Sequence, residues 1–188
     1  MTKRKRDMVS DEMRERLATN REGRLTTGQW LEITGEPIIL LLLLSAPLLF
    51  VLGPRLAALV RFSLPLVLLL LLAILIVPIL ARARRYARTA VHFTRLQAGV
   101  RARPWWMFWQ PDIFHTPADE PVRFSSWLAP RPPLAINREY LIYYLEEPSG
   151  RRVLLSLAPA DHEEADRWQP TPQFNERYTR RTGRQRAR

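Results

Sequence analysis

Two long apolar runs constrain this chain more than any other feature of its sequence. Residues 38–52 and 64–81 contain no charged side chain. With their flanks they form segments 37–53 and 62–81, which as helices reach roughly 26 and 30 Å, close to the hydrocarbon thickness of a bilayer. Because backbone amides in hydrocarbon must be satisfied within the segment, we interpret both runs as transmembrane helices. The short connection at residues 54–61 predicts that they form an antiparallel hairpin.

The net charge of +11 is unevenly distributed along the chain. Residues 82–110 contain seven arginines and no acidic residue, and the N-terminal 36 residues contain eight basic residues, whereas the connection between the runs contains only Arg55 and Arg61. The positive-inside rule then predicts a multi-pass protein of the inner (cell) membrane with both termini in the cytoplasm. The bilayer is its first predicted partner, and four arginines are predicted to contact anionic lipid: Arg82, Arg84, Arg85 and Arg88.

The sequence divides into five predicted segments. They are a cytoplasmic tail with short amphipathic helices (1–36), the transmembrane hairpin (37–81), a helical extension (82–98), a small β-domain (99–168) and a disordered arginine-rich tail (169–188). The first amphipathic helix is predicted to begin at Ser10, since serine caps helix N-termini and is followed here by two acidic residues. Val9, Met13 and Leu17 are spaced four residues apart and form its apolar stripe.

The β-domain contains the clearest local signal outside the apolar runs. Residues 140–145 and 153–157 are rich in side chains that favour β-strands. The segment between them, 146–152, contains Pro148, Ser149 and Gly150, which are typical of turns. This pattern predicts a β-hairpin. The predicted fold class is therefore membrane α + β: a two-helix transmembrane hairpin followed by a small, mostly-β domain, built as an SH3-like or OB-like barrel or a partial sandwich.

Two short stretches carry a resemblance to known proteins. The heptapeptide Asn-Arg-Glu-Gly-Arg-Leu-Thr at residues 20–26 precedes the apolar runs, and the hairpin at 140–159 contains Tyr-x-x-Tyr-Tyr and then Leu-Leu-Ser-Leu. Together they resemble bacterial two-span membrane proteins of unassigned function. The resemblance implies a small cytoplasmic β-domain closed by the last hairpin, and it implies no catalytic residues.

Large aromatic side chains mark the predicted interaction surface. Four of them fall within five positions: Trp105, Trp106, Phe108 and Trp109. Neighbours on a strand face opposite sides, so the four cannot all enter one small core. The membrane interface, a protein partner and the domain's own core are three alternatives for what covers them. With Tyr140 and Tyr144 of the hairpin, they are the candidate partner contacts.

The sequence provides no combination of groups that suggests catalysis. It lacks cysteine, and its seven glycines are scattered, so neither a thiolate site nor a phosphate-binding glycine loop can be assembled. The histidines His92, His115 and His162 show no metal-ligand spacing. The acidic cluster at residues 161–166 fits the start of a helix better than a cation site. We therefore predict no catalytic residue, no metal and no cofactor.

The functional prediction is a non-enzymatic membrane protein. Its β-domain would act as a binding or scaffolding module or as an accessory subunit, with other membrane protein subunits as partners. The alternative is binding of anionic lipid or nucleic acid through the arginine-rich juxtamembrane and C-terminal segments. The sequence favours nucleic acid least, since no folded reading module is visible and arginine outnumbers lysine 27 to 2 throughout the chain.

Overall fold

The computed structural model describes residues 9–35, 73, 76–77, 79–99, 112–128, 134–147 and 149–186. The chain forms two units. The first is assembled from Met1–Gln29 and Thr89–Arg188, and the second is Trp30–Arg88. In the first unit a sheet is accompanied by helices α1 (Asp11–Asn20) and α4 (Pro172–Arg186) and by a 3-10 helix (Ala165–Trp168). Residues 27–35 form α2, and residues 79–88 are described as helix α3.

Six strands form one sheet in the order β3-β2-β1-β5-β6-β4. They are β1 (Val91–Ala98), β2 (Asp112–His115), β3 (Pro121–Phe124), β4 (Ser126–Trp127), β5 (Glu139–Glu146) and β6 (Arg152–Pro159). Neighbours pair antiparallel except β4 and β6, which are parallel. Only Ser125 separates β3 from β4, although these strands lie at opposite ends of the sheet. The sheet must therefore curl until its two ends meet.

The predicted β-hairpin is confirmed as strands β5 and β6, with an irregularity in the middle. Tyr143 pairs with Ser156 and Tyr144 pairs with Leu154, so Leu155 is an extra residue on β6. Such a bulge reverses which backbone groups point to each side of the strand. Before the bulge, the Leu154 carbonyl accepts a hydrogen bond from Leu128 N at 2.9 Å. After the bulge, the Leu155 carbonyl and the Leu157 amide point toward the N-terminal segment.

The N-terminal segment satisfies these backbone groups of β6. The Gln29 side chain donates from Nε2 to the Leu155 carbonyl at 2.9 Å, and the Met13 sulfur accepts from the Leu157 amide at 3.5 Å. The Asn20 side chain donates to the Ser156 hydroxyl at 2.8 Å. A buried edge is stable only when its polar groups find partners, so the segment from Met13 to Gln29 contributes to the stability of the sheet.

Helix α1 begins where the sequence predicts. Ser10 is the N-cap, and its hydroxyl accepts a hydrogen bond from the Met13 amide at 3.3 Å. Val9, Met13 and Leu17 are buried, which confirms the predicted apolar stripe. Helix α2 begins with a capping box: Thr26 Oγ1 accepts from the Gln29 amide at 3.2 Å, and Gln29 Oε1 accepts from the Thr26 amide at 2.9 Å.

The fold-class prediction is corrected by the described residues. No helix within them is both long and apolar enough to cross a membrane. Helix α3, which contains the end of the second run, carries four arginines within seven positions (82–88), and their charges end the apolar stretch. Residues 37–53 and most of 62–81 lie outside the described residues. The finding on the described helices contradicts the predicted two-helix transmembrane hairpin and the inner-membrane localisation with two cytoplasmic termini that depended on it.

The predicted architecture of the remainder also changes. Instead of a mostly-β barrel or partial sandwich, the described residues of the first unit form a single curled sheet completed by helices. The predicted helical extension at 82–98 ends at residue 88, and β1 follows from Val91 to Ala98. Its pairing with β5 runs from Val91–Leu145 to Gln97–Glu139 and makes this stretch a strand, although no proline or glycine separates it from the helix.

The C-terminal tail is not disordered in the part that the structure describes. Residues Pro172–Arg186 form α4, with Phe174 buried against the Tyr143 ring at a centroid distance of 6.0 Å. The helix lies across Gly23, whose φ of +72° favours glycine and where an added Cβ would lie 3.6 Å from both Phe174 and Arg177. This apolar anchor and the close approach at Gly23 contribute to the order of a segment whose composition is otherwise polar.

Candidate functional site

The sequence-predicted interaction residues do not converge on one surface. Trp105, Trp106, Phe108 and Trp109 lie outside the described residues. Tyr140 is only 1% exposed, and its hydroxyl accepts a hydrogen bond from the Ala135 amide at 2.9 Å. The Tyr140 ring packs in the interior near Phe114, so a partner cannot contact it in the folded chain. Tyr144, four residues further along β5, is half-buried and remains a candidate.

The four predicted lipid-contact arginines lie on α3 in the second unit. Arg84, Arg85 and Arg88 are exposed, and Arg82 is half-buried with its guanidinium 5.8 Å from the centre of the Tyr86 ring. Such a distance is typical of a cation–π contact. Arg82 is therefore held by its own helix, whereas lipid contact by these four residues stays a prediction.

Three side chains from three different elements meet at one end of the first unit. His92 of β1 stacks on Tyr144 of β5 at a centroid distance of 5.1 Å, as expected for directly paired residues on neighbouring strands. Tyr178 of α4 meets the same imidazole edge-on at 5.2 Å, with its hydroxyl 3.5 Å from Nδ1. We name His92, Tyr144 and Tyr178 the aromatic cluster. Tyr178 is 36% exposed, so the cluster opens to solvent on its α4 side.

Burial controls protonation within the aromatic cluster. Desolvation lowers the pKa of His92 below its ordinary value, with the charge of Glu146 opposing this shift and that of Arg152 adding to it. Burial, helped by Glu146, raises the pKa of the Tyr144 phenol. Glu146 and Arg152 form an ion pair at 3.4 Å, so their opposite charges partly cancel and each has a smaller effect on the pKa values of His92 and Tyr144. At neutral pH His92 and Tyr144 are therefore uncharged and contribute a neutral imidazole and a neutral phenol to the cluster.

The lowered pKa of His92 predicts a pH-dependent stability. At pH values between the pKa of His92 in the folded chain and about 6.5, the unfolded chain binds a proton at His92 more readily than the folded chain does. The free energy of unfolding should therefore fall as pH falls through 6.5, and the loss should be complete below the folded pKa. Urea unfolding at several pH values should show a flatter profile for His92→Gln than for the wild type. An unchanged profile would contradict this assignment, since His115 and His162 are common to both proteins.

Two arginines of α4 extend the site next to the aromatic cluster. Arg177 Nη1 donates to the Glu22 carbonyl at 3.1 Å, and Arg181 Nη1 donates to the Thr89 carbonyl at 3.0 Å. Both side chains are half-buried, whereas Arg180 on the same helix is exposed. Burial and the charge of Arg177 lower the pKa of Arg181, although the group remains a cation at any physiological pH.

Several other polar side chains of the described residues have ordinary structural partners. Asp161 pairs with Arg138 at 2.6 Å, and Glu164 pairs with Arg14 at 3.4 Å. His115 Nδ1 lies 3.1 Å from Asp119, and the His162 ring packs on Trp168 at 4.8 Å. Within the ranges that the structure describes, no group of three or more acidic or histidine side chains is arranged to hold a metal ion.

Compared with known proteins, the chain matches no family model, and it gives no significant match to a curated protein or to a solved structure. The aromatic cluster and its flanking arginines therefore have to be interpreted from their own chemistry. Sequence reasoning named Tyr144 and the arginine-rich C-terminal segment, but it missed that His92 and Tyr178 join them because the tail was predicted to be disordered. The four-residue spacing of Phe174, Tyr178 and Thr182, with Arg177 and Arg181 beside it, is the helical signal that could have identified α4.

Proposed function

We propose that this chain is a non-enzymatic binding module that binds single-stranded nucleic acid on the exposed face of α4. The observation that carries the proposal is the position of Tyr178, an exposed aromatic ring held beside arginines on an ordered helix. Proteins that bind single strands without sequence preference combine arginine or lysine along the backbone with aromatic rings on which bases stack. Tyr178 supplies the ring, and the α4 arginines supply the charge.

The charge distribution supports the same proposal. Residues 175–188 contain six arginines and one acidic residue, Glu176. In the described part of α4, Arg180 is exposed, and Arg177 and Arg181 bind backbone carbonyls rather than carboxylates. Their positive charge is therefore available to phosphate. The other expectation, a scaffolding module for protein partners, depends on the four aromatic residues outside the described ranges and stays a prediction.

Fluorescence anisotropy with a labelled 20-nucleotide RNA or DNA strand tests the proposal. Affinity should fall steeply with salt, with a slope of about −0.7 in log–log form for each phosphate contacted. Arg180→Gln should make that slope shallower. Tyr178→Ala should weaken binding by about 1–3 kcal/mol, the usual contribution of one stacked base, and should leave the slope unchanged. Tyr178→Phe keeps the ring and serves as the matched control.

Two results would contradict the proposal. One is that the full chain fails to bind either strand at low salt. The other is that it binds vesicles of phosphatidylglycerol but not the oligonucleotides, which would assign the arginines to a lipid surface. A duplex of the same sequence should bind more weakly than the single strand, because its bases are already stacked and cannot reach Tyr178.

A further inference from the structure

The two half-buried arginines of α4 are placed as a pair. Residues four apart on a helix lie on the same face one turn apart. Arg177 reaches the turn after α1 at the Glu22 carbonyl, and Arg181 reaches the chain just before β1 at the Thr89 carbonyl. The aliphatic part of the Arg177 side chain lies over Gly23. A Cβ atom added at Gly23 would be 3.6 Å from the Cβ of Arg177. The docking of α4 therefore fixes both guanidinium groups against the rest of the first unit.

This pair differs in its partners from several other arginines that are buried or half-buried. Arg16, Arg138 and Arg152 each pair with a carboxylate, at 2.6, 2.6 and 3.4 Å respectively. Within the described residues, Arg177 and Arg181 have hydrogen bonds to backbone carbonyls and to no carboxylate. Like charges four apart on a helix repel each other, and burial reduces the screening by water. The pair is therefore a site of unbalanced positive charge built into the docked helix.

From this geometry we infer that Arg177 and Arg181 form a seat for one phosphate group. Each guanidinium has five N–H donors in a planar fork and uses one of them on a carbonyl, so donors remain on both groups for a shared anion. A phosphate between them would neutralise their repulsion and bind through several charged hydrogen bonds. The inference rests on the proposed function and deepens it, since it names the phosphodiester as the group recognised at this part of α4.

The seat predicts that phosphate stabilises the fold. A ligand that binds only the folded chain raises the free energy of unfolding as its concentration increases. Thermal unfolding of the full chain in inorganic phosphate, at constant ionic strength set with chloride, should show a melting temperature that rises with phosphate. Arg177→Gln and Arg181→Gln should each abolish this rise. Arg180→Gln removes the same charge from an exposed position of the same helix and should retain it.

A conservative substitution separates charge from geometry. Arg181→Lys keeps the positive charge but loses the planar fork, so phosphate binding should weaken roughly tenfold, the effect of losing about one charged hydrogen bond. The seat is overturned if all three glutamine variants respond alike, or if chloride raises the melting temperature of the wild type as much as phosphate does. In either case general charge, and not the pair, would be responsible.

The seat and the proposed function can fail separately. If Arg177→Gln/Arg181→Gln binds the single strand as tightly as Arg180→Gln does, the seat is overturned while nucleic-acid binding by α4 stands. If the wild type responds to inorganic phosphate through this pair but binds no oligonucleotide, the seat stands and the proposed function fails. Titrating the same variants with phosphatidylglycerol vesicles then distinguishes a lipid phosphate from a nucleic-acid phosphate as the source.

Discussion

Replacing Phe124 by alanine is expected to lower the free energy of unfolding by about 3–5 kcal/mol, the usual cost of emptying a buried phenylalanine site. Phe124 is fully buried, with the rings of Phe114 at 5.5 Å and Tyr144 at 5.7 Å. It is the last residue of β3, directly before Ser125 and β4. The cavity would therefore open where the two ends of the sheet meet.

The neighbouring residue provides the control for this prediction. Arg123 is exposed on the same strand, and Arg123→Ala should change stability by less than about 0.5 kcal/mol. Urea unfolding of both variants followed by circular dichroism measures the difference. A loss below about 1 kcal/mol for Phe124→Ala would mean that the ends of the sheet do not depend on this packing, contrary to the fold described above.

Replacing Gln29 by glutamate is expected to cost about 3 kcal/mol at pH 7, because a buried carboxylate would replace a buried donor. Gln29 is fully buried. Glutamate can still accept the Thr26 amide in the capping box, but its carboxylate cannot donate to the Leu155 carbonyl. The substitution therefore removes one hydrogen bond, leaves that carbonyl without its donor and places a charge beside it.

The pH dependence of this variant tests the assigned cause. Burial should raise the pKa of the introduced carboxyl group, and once protonated the group again has a donor for the Leu155 carbonyl. The deficit of Gln29→Glu relative to the wild type should therefore shrink as the pH is lowered toward that raised pKa. Gln173→Glu makes the same chemical change at an exposed position of α4 and should be nearly neutral. A deficit that is independent of pH would contradict the explanation.

Local signals in the sequence predicted the elements that are stabilised locally. The Ser10 cap and the stripe of Val9, Met13 and Leu17 lie within nine residues and identify α1. The β5–β6 hairpin is marked by β-rich runs on both sides of a turn. These features need no knowledge of distant residues, so a single sequence is enough to find them.

The wrong predictions concern elements whose state is decided by distant contacts. Residues 91–98 lack proline and glycine, so the sequence predicts that they continue the helix, but their pairing with β5 makes them a strand. Tyr140 was expected on a surface, but the curling of the sheet buries it. Composition alone also suggested that the two apolar runs cross a membrane, an interpretation that the described helices do not support.

The candidate site was unpredictable for the same reason. His92, Tyr144 and Tyr178 are 34 or more residues apart in sequence and come from a strand, a second strand and a helix. Only the pairing of His92 with Tyr144 and the docking of α4 through Phe174 bring them together. Nothing in the individual stretches marks these residues as neighbours.

The hydrogen bond between Asn20 and Ser156 spans 136 positions, and the one between Gln29 and Leu155 spans 126. A ribosome making this chain therefore completes α1 long before its partner strand exists. Until β6 has been synthesised, Asn20 and Gln29 must keep their polar groups in water, and closing so long a loop carries an entropic cost. Assembly of the first unit should consequently wait until strand β6 has emerged from the ribosome.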